Sequence, residues 1–156
     1  MEIKVDSLES KEIADFLEEH IAEMKSVSPP ESKHALDLDG LRTPAITFWT
    51  VWDDSNLVGC GAIKELDVEH AEIKSMRTKA SCRNKGIASM LLQHILQEAK
   101  SRGYRRSSLE TGSMPFFEPA RNLYLKHGFD YCAPFSTYKE DPNSVFMTKD
   151  LSDKGL

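Results

Sequence analysis

The sequence predicts an α/β protein, in which a mixed central sheet of about seven strands carries helices on both faces. Two observations lead to this fold class. Three strand-like runs follow one another between residues 45 and 78, as in an antiparallel meander. A long amphipathic segment at 86–102 then precedes a strand-like run at 106–111, which is typical of a helix that crosses over to a neighbouring strand. We expect a single domain over residues 1–156.

The N-terminal part predicts a short strand and two helices. Residues 2–7 alternate weakly between polar and apolar, and Ser7 or Ser10 then caps a helix. The apolar residues of this helix recur at three- and four-residue spacing: Ile13, Phe16, Leu17, Ile21 and Met24. The prolines at 28–30 end it, and a short second helix is expected around 36–41.

The meander is predicted by three runs rich in β-branched and aromatic residues, at 45–52, 57–66 and 72–78. Asp53 to Asn56 supply the first turn. The second run contains Gly59-Cys60-Gly61, which resembles a phosphate-binding glycine fingerprint. No helix follows it, so we interpret these glycines as small residues that allow close packing of the strand.

The clearest helix is predicted over residues 86–102, and Gly103 lies where a left-handed C-terminal cap belongs. The apolar residues of this helix form a broad stripe: Ile87, Met90, Leu91, Ile95, Leu96 and Ala99. A last helix is expected over residues 119–128, opened by proline and closed by glycine. Strands at 129–131 and 145–151 are then expected to pair as a terminal hairpin-like unit.

Composition excludes several classes of protein. Hydrophobic content of 40% and charged content of 29% are ordinary for a soluble globular chain, and the apolar runs are too short to span a membrane. The N-terminus lacks a signal-peptide pattern, so we expect a cytoplasmic protein. The three cysteines and five histidines show no metal-ligand spacing, so no metal is expected. A net charge of −5 argues against nucleic acid as a partner.

Charge is distributed unevenly along the chain. Residues 1–26 carry eight acids and three bases, whereas residues 74–106 carry nine bases and one acid. Four of these bases flank the glycine at position 86: Arg77, Lys79, Arg83 and Lys85. The first turn of a helix offers unpaired N–H groups and about half a positive charge, and Gly86 has no Cβ to keep an anion away. The turn therefore predicts a phosphate-bearing, nucleotide-like cofactor. The P-loop pattern is absent.

Two runs resemble signature motifs of the GNAT superfamily of acetyl-CoA-dependent N-acetyltransferases. Residues 71–78, followed by Arg83-x-x-Gly86-x-Ala88, resemble motif A, whose form is Gln/Arg-x-x-Gly-x-Gly/Ala. Residues 120–129 resemble motif B, whose form is Ala-x-x-Leu-Tyr-x-x-x-Gly-Phe. Both occur in the order and spacing of the family, and the predicted elements match the GNAT fold along essentially the whole chain. A closer likeness is to the YsnE-type bacterial branch.

The resemblance implies acetyl-CoA as co-substrate, without a metal. The strands at 72–78 and 106–111 would splay apart, and pantetheine would pair with the backbone of Met76, Arg77 and Thr78 between them. The diphosphate would lie on the following turn, formed by Arg83, Asn84, Lys85, Gly86, Ile87, Ala88 and Ser89. Many members place an asparagine three residues before the motif-B alanine. Here that position is Phe117, which offers no polar contact.

The resemblance also implies direct acetyl transfer in a ternary complex. Tyr124 matches the motif-B tyrosine that protonates the thiolate of CoA. Glu72 matches the position of the general base in the histone-acetylating branch. The sequence is equally consistent with Glu72 as an ion-pair partner of Lys64 or Lys74. In that case Glu110 is the alternative candidate for the general base.

The expected acceptor is a primary amine of a small molecule, one that carries an anionic group. The residues expected to bind it are His34, Arg42, Lys64, Lys74 and Glu110. Two alternatives stay open at this point. One is N-acetylation of a protein or peptide, and the other is a non-catalytic acyl-CoA sensor. A homodimer also stays open, because GNAT proteins often dimerise.

Overall fold

The computed structural model describes residues 1–27, 38–83 and 85–152, and its elements follow the predicted order. The strands and helices are β1 (Glu2–Val5), α1 (Lys11–Val27), α2 (Leu38–Leu41), β2 (Ile46–Asp53), β3 (Asn56–Asp67), β4 (His70–Thr78), α3 (Ile87–Ser101), β5 (Arg106–Gly112), α4 (Glu118–Lys126), β6 (Asp130–Cys132) and β7 (Ser144–Asp150). Single 3₁₀ turns at Ala80–Cys82 and Pro115–Phe117 precede α3 and α4.

All seven strands form one sheet in the order β1-β2-β3-β4-β5-β7-β6. The strands β1 to β4 are the antiparallel meander, and β4 pairs with β5 in parallel. β7 lies between β5 and β6 and is antiparallel to both. The prediction of a mixed seven-stranded sheet is therefore confirmed, as is the pairing of the last two strands.

Helices cover both faces of the sheet, each over its own apolar core. α3 and α4 pack on one face, which we call the α3 face, through residues such as Leu91, Ile95 and Tyr124. α1 and α2 pack on the other, which we call the α1 face, through residues such as Phe16 and Leu41. None of the helices in the described residues combines the length and apolar character needed to cross a bilayer.

Local features explain where the helices begin and how closely they pack. Ser10 is the cap of α1, since its Oγ accepts the N–H of Ile13 at 3.2 Å. A Cβ on Gly61 would lie 2.5 Å from Sδ of Met76 and 3.0 Å from Cδ1 of Ile95. The interpretation of this glycine as a close-packing residue is confirmed. Gly103 adopts φ 94° after α3, as the predicted left-handed cap requires.

Candidate active site

The parallel strands β4 and β5 separate partway along their length. They are in register over residues 70–73 of β4, and no later residue of β4 pairs with β5 in the described chain. β5 itself continues to Gly112, paired throughout with β7. A cleft therefore opens between residues 74–78 of β4 and 110–112 of β5. Backbone N–H and C=O groups of β4 face this cleft without a strand partner.

A bulge in β4 turns the strand at this cleft. Cys60 of β3 lies opposite Arg77, whereas Ala62, two residues further, lies opposite Lys74, so β4 contains one extra residue. Within the bulge Ser75 has φ 57°, in the left-handed region that few non-glycine residues adopt. A bulge increases local twist and bends its strand. The bulge therefore lies in the part of β4 that no longer pairs with β5.

Gly86 forms the turn that leads into α3. Its φ is 79°, and a Cβ there would meet no atom within 4 Å beyond its chain neighbours. The amides of Ile87, Ala88 and Ser89 follow in the first helical turn, where they have no intrahelical acceptor and no acidic residue beside them. The turn is thus an open, partly positive helix end suited to an anion. Asn84 lies outside the described residues.

Two of the cations predicted for this turn are bound to α1. Arg77 is buried, and its Nη1 donates to Oε1 of Glu23 at 2.6 Å. Arg83 donates to both oxygens of the same carboxylate at 3.2 Å. Although burial acts in the opposite direction, the Arg83 hydrogen bond and the Arg77 charge lower the pKa of Glu23. The exposed Lys79 and Lys85 form no ion pair with any described residue, so they are the cations beside the turn that remain for a phosphate.

Ser89 links α3 to the end of α4. Its Oγ lies 2.7 Å from Nε2 of His127. Burial lowers the pKa of His127, and the charges of Lys126 and Lys149 act in the same direction. His127 is therefore neutral at pH 7, and the contact with Ser89 is a neutral hydrogen bond that fixes the first turn of α3 against α4.

Tyr124 reaches the core of the α3 face from α4. It is 5% exposed, and its ring meets Phe129 edge-on at 5.7 Å. Its hydroxyl has no hydrogen-bond partner among the described residues. Burial and the nearby charge of Glu110 raise the pKa of Tyr124. The phenol thus keeps its proton at neutral pH and can donate a hydrogen bond to a developing anion.

Glu72 is buried on the α1 face, with 4% of its side chain exposed. Its Oε2 lies 3.1 Å from Nζ of Lys74, whose side chain is 9% exposed. Of the two ion pairs considered from the sequence, the one with Lys74 is present, and Lys64 makes none in the described chain. No described residue donates a hydrogen bond to Oε1 of Glu72. This oxygen is available to a bound molecule.

Tyr138, which the sequence analysis missed, completes the surroundings of Glu72. Its hydroxyl donates to Oε2 of Glu72 at 2.5 Å and accepts from Nζ of Lys74 at 3.1 Å. We call these three residues the Glu72 triangle. No motif marks Tyr138. The available signal was a long loop between the last two strands that carries two aromatic residues, Phe135 and Tyr138.

Glu110 lies on β5 at the edge of the cleft. Oγ of Ser144 on β7 donates to its Oε2 at 2.8 Å. Its charge raises the pKa of Tyr124 and contributes to the raised pKa of Tyr138, after burial in both cases. Through this charge Glu110 favours the protonated form of both tyrosines.

The other residues expected to bind the acceptor are not brought together. Lys64 is half-buried on β3, opposite Glu72 in the strand register. Arg42 is directed to the start of α1, where its Nη2 donates to the carbonyl of Leu8 at 2.6 Å. His34 lies outside the described residues.

Phe117 packs on the end of β5. A Cβ on Gly112 would lie 2.1 Å from Cδ2 of Phe117, so the ring rests directly on the glycine backbone. Arg121 fixes the same segment, because its Nη1 donates to the carbonyls of Gly112 at 2.7 Å and Met114 at 3.0 Å. An apolar ring therefore stands at the position for which the motif-B resemblance implies an asparagine.

The chain belongs to the acetyltransferase (GNAT) family, because the model of that family matches residues 13–129. It is thus an acyltransferase of the N-acetyltransferase class, as its motifs predict. Individual relatives support the same assignment. It is 59% identical over 151 residues to the uncharacterized N-acetyltransferase YsnE of Bacillus subtilis (strain 168), covering 97% of this chain and 100% of YsnE. The predicted likeness to the YsnE branch is confirmed.

Two further relatives match most of the chain. The uncharacterized N-acetyltransferase YedL of Escherichia coli (strain K12) is 48% identical over 149 residues, covering 96% of this chain and 94% of YedL. An IAA acetyltransferase of Azospirillum brasilense is 37% identical over 141 residues, covering 89% of this chain and 90% of that protein.

Solved structures share the fold. A GNAT-family acetyltransferase from Staphylococcus aureus Mu50 superposes with a TM-score of 0.74 at 21% identity, covering 96% of this chain and 99% of its own. An aminoglycoside 6'-N-acetyltransferase complexed with coenzyme A superposes with a TM-score of 0.71 at 15% identity, covering 97% of both chains.

Proposed function

We propose that this GNAT protein transfers an acetyl group from acetyl-CoA to the primary amine of a small molecule that carries an anionic group. The observation that carries the proposal is the cleft. Strand backbone at 74–78 lacks a β5 partner there, Glu72 lies on β4 just before the strands separate, and Tyr124 lies in the core of the α3 face. In this proposal pantetheine pairs with that backbone, and the diphosphate binds the amides that follow Gly86, next to Lys79 and Lys85.

The amine presents the first chemical difficulty. An alkylammonium with a pKa of about 10 is about one part in a thousand neutral at pH 7, which costs about 4 kcal/mol. We assign Oε1 of Glu72 as the acceptor of this proton, directly or through water, because no described residue occupies it. The neutral nitrogen then attacks the thioester carbonyl, the N–C bond forms and the C–S bond breaks. The proton that the nitrogen loses on becoming an amide passes to the CoA sulfur, through Tyr124 or water.

The leaving thiolate presents the second difficulty. The Tyr124 hydroxyl is protonated and lacks a hydrogen-bond partner in the described chain, so it can donate to the sulfur as negative charge develops. Because its pKa is raised, the phenol acts first as a hydrogen-bond donor. Cys60 is unsuited to an acyl-enzyme route, since burial raises the pKa of its thiol to about 12.

The charges on the α1 face favour an acceptor of mixed charge. Glu72 would receive the ammonium, and Lys64, opposite it in the register, makes no ion pair or hydrogen bond in the described chain. A half-buried ammonium without a partner can bind a carboxylate or phosphate with little competition. The acceptor would then span two neighbouring strands, with its amine towards the cleft.

The test begins with calorimetric titration of acetyl-CoA, followed by thiol release over pairs of amines that share a skeleton and differ by one carboxylate. Suitable pairs are lysine with cadaverine, arginine with agmatine, and tyrosine with tyramine. IAA and an aminoglycoside are included because relatives and structural neighbours are named for them. We expect turnover with the carboxylate-bearing member of one pair, and Lys64→Met should raise KM for that member alone. Acetyl-CoA binding without turnover of any amine would refute the small-molecule assignment.

A further inference from the structure

We propose that Tyr138 is a positioning residue for Glu72, one that holds Oε2 so that Oε1 faces the acceptor. The inference rests on the proposed function, in which Glu72 receives the proton of the acceptor amine. Tyr138 itself touches neither acetyl group nor amine in this proposal. Its effect passes through the carboxylate.

The first argument is the asymmetry of the Glu72 carboxylate. Oε2 accepts from Tyr138 at 2.5 Å and from Lys74 at 3.1 Å, whereas Oε1 accepts from no described residue. Lys74 Nζ also donates to the Tyr138 hydroxyl at 3.1 Å, which closes the triangle. Two donors on one oxygen, from β4 and from the β6–β7 loop, restrict rotation of the carboxylate far more than one would.

The second argument is that Tyr138 is itself held in place. Its ring packs against Phe135 at 5.1 Å and against Phe146 of β7 at 5.5 Å, and Phe135 also contacts His70 at 5.8 Å. These contacts with β7 and β4 fix the loop, and so they fix the position of the Tyr138 hydroxyl next to the buried carboxylate of Glu72. Burial and the charge of Glu72 raise the pKa of Tyr138, so the hydroxyl keeps its proton and remains a donor.

A purely structural role is the competing explanation, in which Tyr138 only anchors the β6–β7 loop. Tyr138→Phe separates the two, because it keeps the ring contacts and removes only the hydroxyl. Tyr131→Phe is the matched control, since Tyr131 lies on β6 just before this loop and is 54% exposed. Lys74→Met removes the other donor to Oε2 and serves as a second variant.

The experiment is a double-mutant cycle on the full chain. Steady-state kcat and KM are measured with acetyl-CoA and the amine of the panel above that has the highest kcat/KM. Tyr138→Phe and Tyr131→Phe are each placed in the parent and in a Glu72→Gln background. We expect Tyr138→Phe to lower kcat about tenfold in the parent, with KM for acetyl-CoA unchanged, because one hydrogen bond to a charged group is lost.

In the Glu72→Gln background the same change should alter kcat by less than about twofold, because the group on which Tyr138 acts is gone. An equal loss in both backgrounds would mean that Tyr138 acts through packing, and an unchanged parent kcat would mean that it has no role. Either result overturns the positioning proposal. A loss of kcat in the Glu72→Gln single variant would still support Glu72 as the general base. A Glu72→Gln variant as fast as the parent overturns both assignments.

Discussion

Gly86 and Gly103 stand at the two ends of α3 in the same backbone state, and alanine at each position gives a matched pair of variants. Their φ angles are 79° and 94°, and at both a Cβ would meet no atom within 4 Å beyond its chain neighbours. Each change therefore adds strain without a clash. An L-residue in the left-handed region costs about 1–2 kcal/mol, so we expect the free energy of unfolding to fall by about that amount in both variants.

The two variants should differ in cofactor affinity. At Gly86 the new methyl group enters the open space in front of the α3 amides, where we propose that the diphosphate binds. Loss of two hydrogen bonds to a charged group, at about 1.5 kcal/mol each, gives about 3 kcal/mol, or about a hundredfold in Kd. The 15 residues of α3, about 22 Å in length, separate Gly103 from Gly86, and the Gly103 variant should bind acetyl-CoA as the parent does.

Urea unfolding gives the stability of each variant, and calorimetric titration of acetyl-CoA gives its Kd. A Gly86→Ala protein that binds as tightly as Gly103→Ala would refute the placement of the diphosphate. A stability loss in only one variant would refute the argument from shared backbone strain.

Three further variants test separate parts of the structure. Tyr124→Phe should lower kcat about a hundredfold with the Kd of acetyl-CoA unchanged; normal turnover would remove Tyr124 from the reaction. Burial, then the charge of Arg77, lowers the pKa of His20 from 6.5 to about 4. Only the unfolded chain gains this proton, so stability should fall by about 3 kcal/mol as pH drops from about 6.5 to about 4. His20→Gln should flatten that fall in urea unfolding at each pH, and an equally acid-sensitive variant would contradict the assignment. Gly61→Ala should lower the free energy of unfolding by about 1–3 kcal/mol, because its Cβ meets Met76; a urea midpoint equal to that of the parent would contradict this.

Local pattern was sufficient for most of the fold. The apolar stripe of α3 repeats with the spacing of a helix, and the β-branched runs of the meander are typical of strands. Gly103 and Gly128 both adopt positive φ after their helices, as expected of terminal caps. Each of these features depends on a few residues that are neighbours in the sequence, so it can be predicted without knowledge of tertiary contacts.

The partners of charged residues were harder to predict, because they come from distant parts of the chain. Arg77 and Arg83 were expected to face a phosphate, yet Glu23, more than fifty residues away, binds both. The acidic bias of residues 1–26 was the available signal for this pairing. The bulge at Ser75 had no such signal, since serine has no preference for a left-handed conformation. Tyr138 was missed for a similar reason, because its contact with Glu72 spans 66 residues.

The short parallel register between β4 and β5 has a consequence for the order in which the protein opens. It is the one parallel pairing among the described strands, and it joins a four-stranded meander to a three-stranded C-terminal unit. Because so few hydrogen bonds join β4 to β5 at this seam, we expect the two units to open separately. Their amide hydrogens should then exchange with solvent as two cooperative blocks. A pantetheine arm in the cleft would act as a missing length of strand between them. Acetyl-CoA should then protect amides on both sides of the seam and merge the two blocks into one.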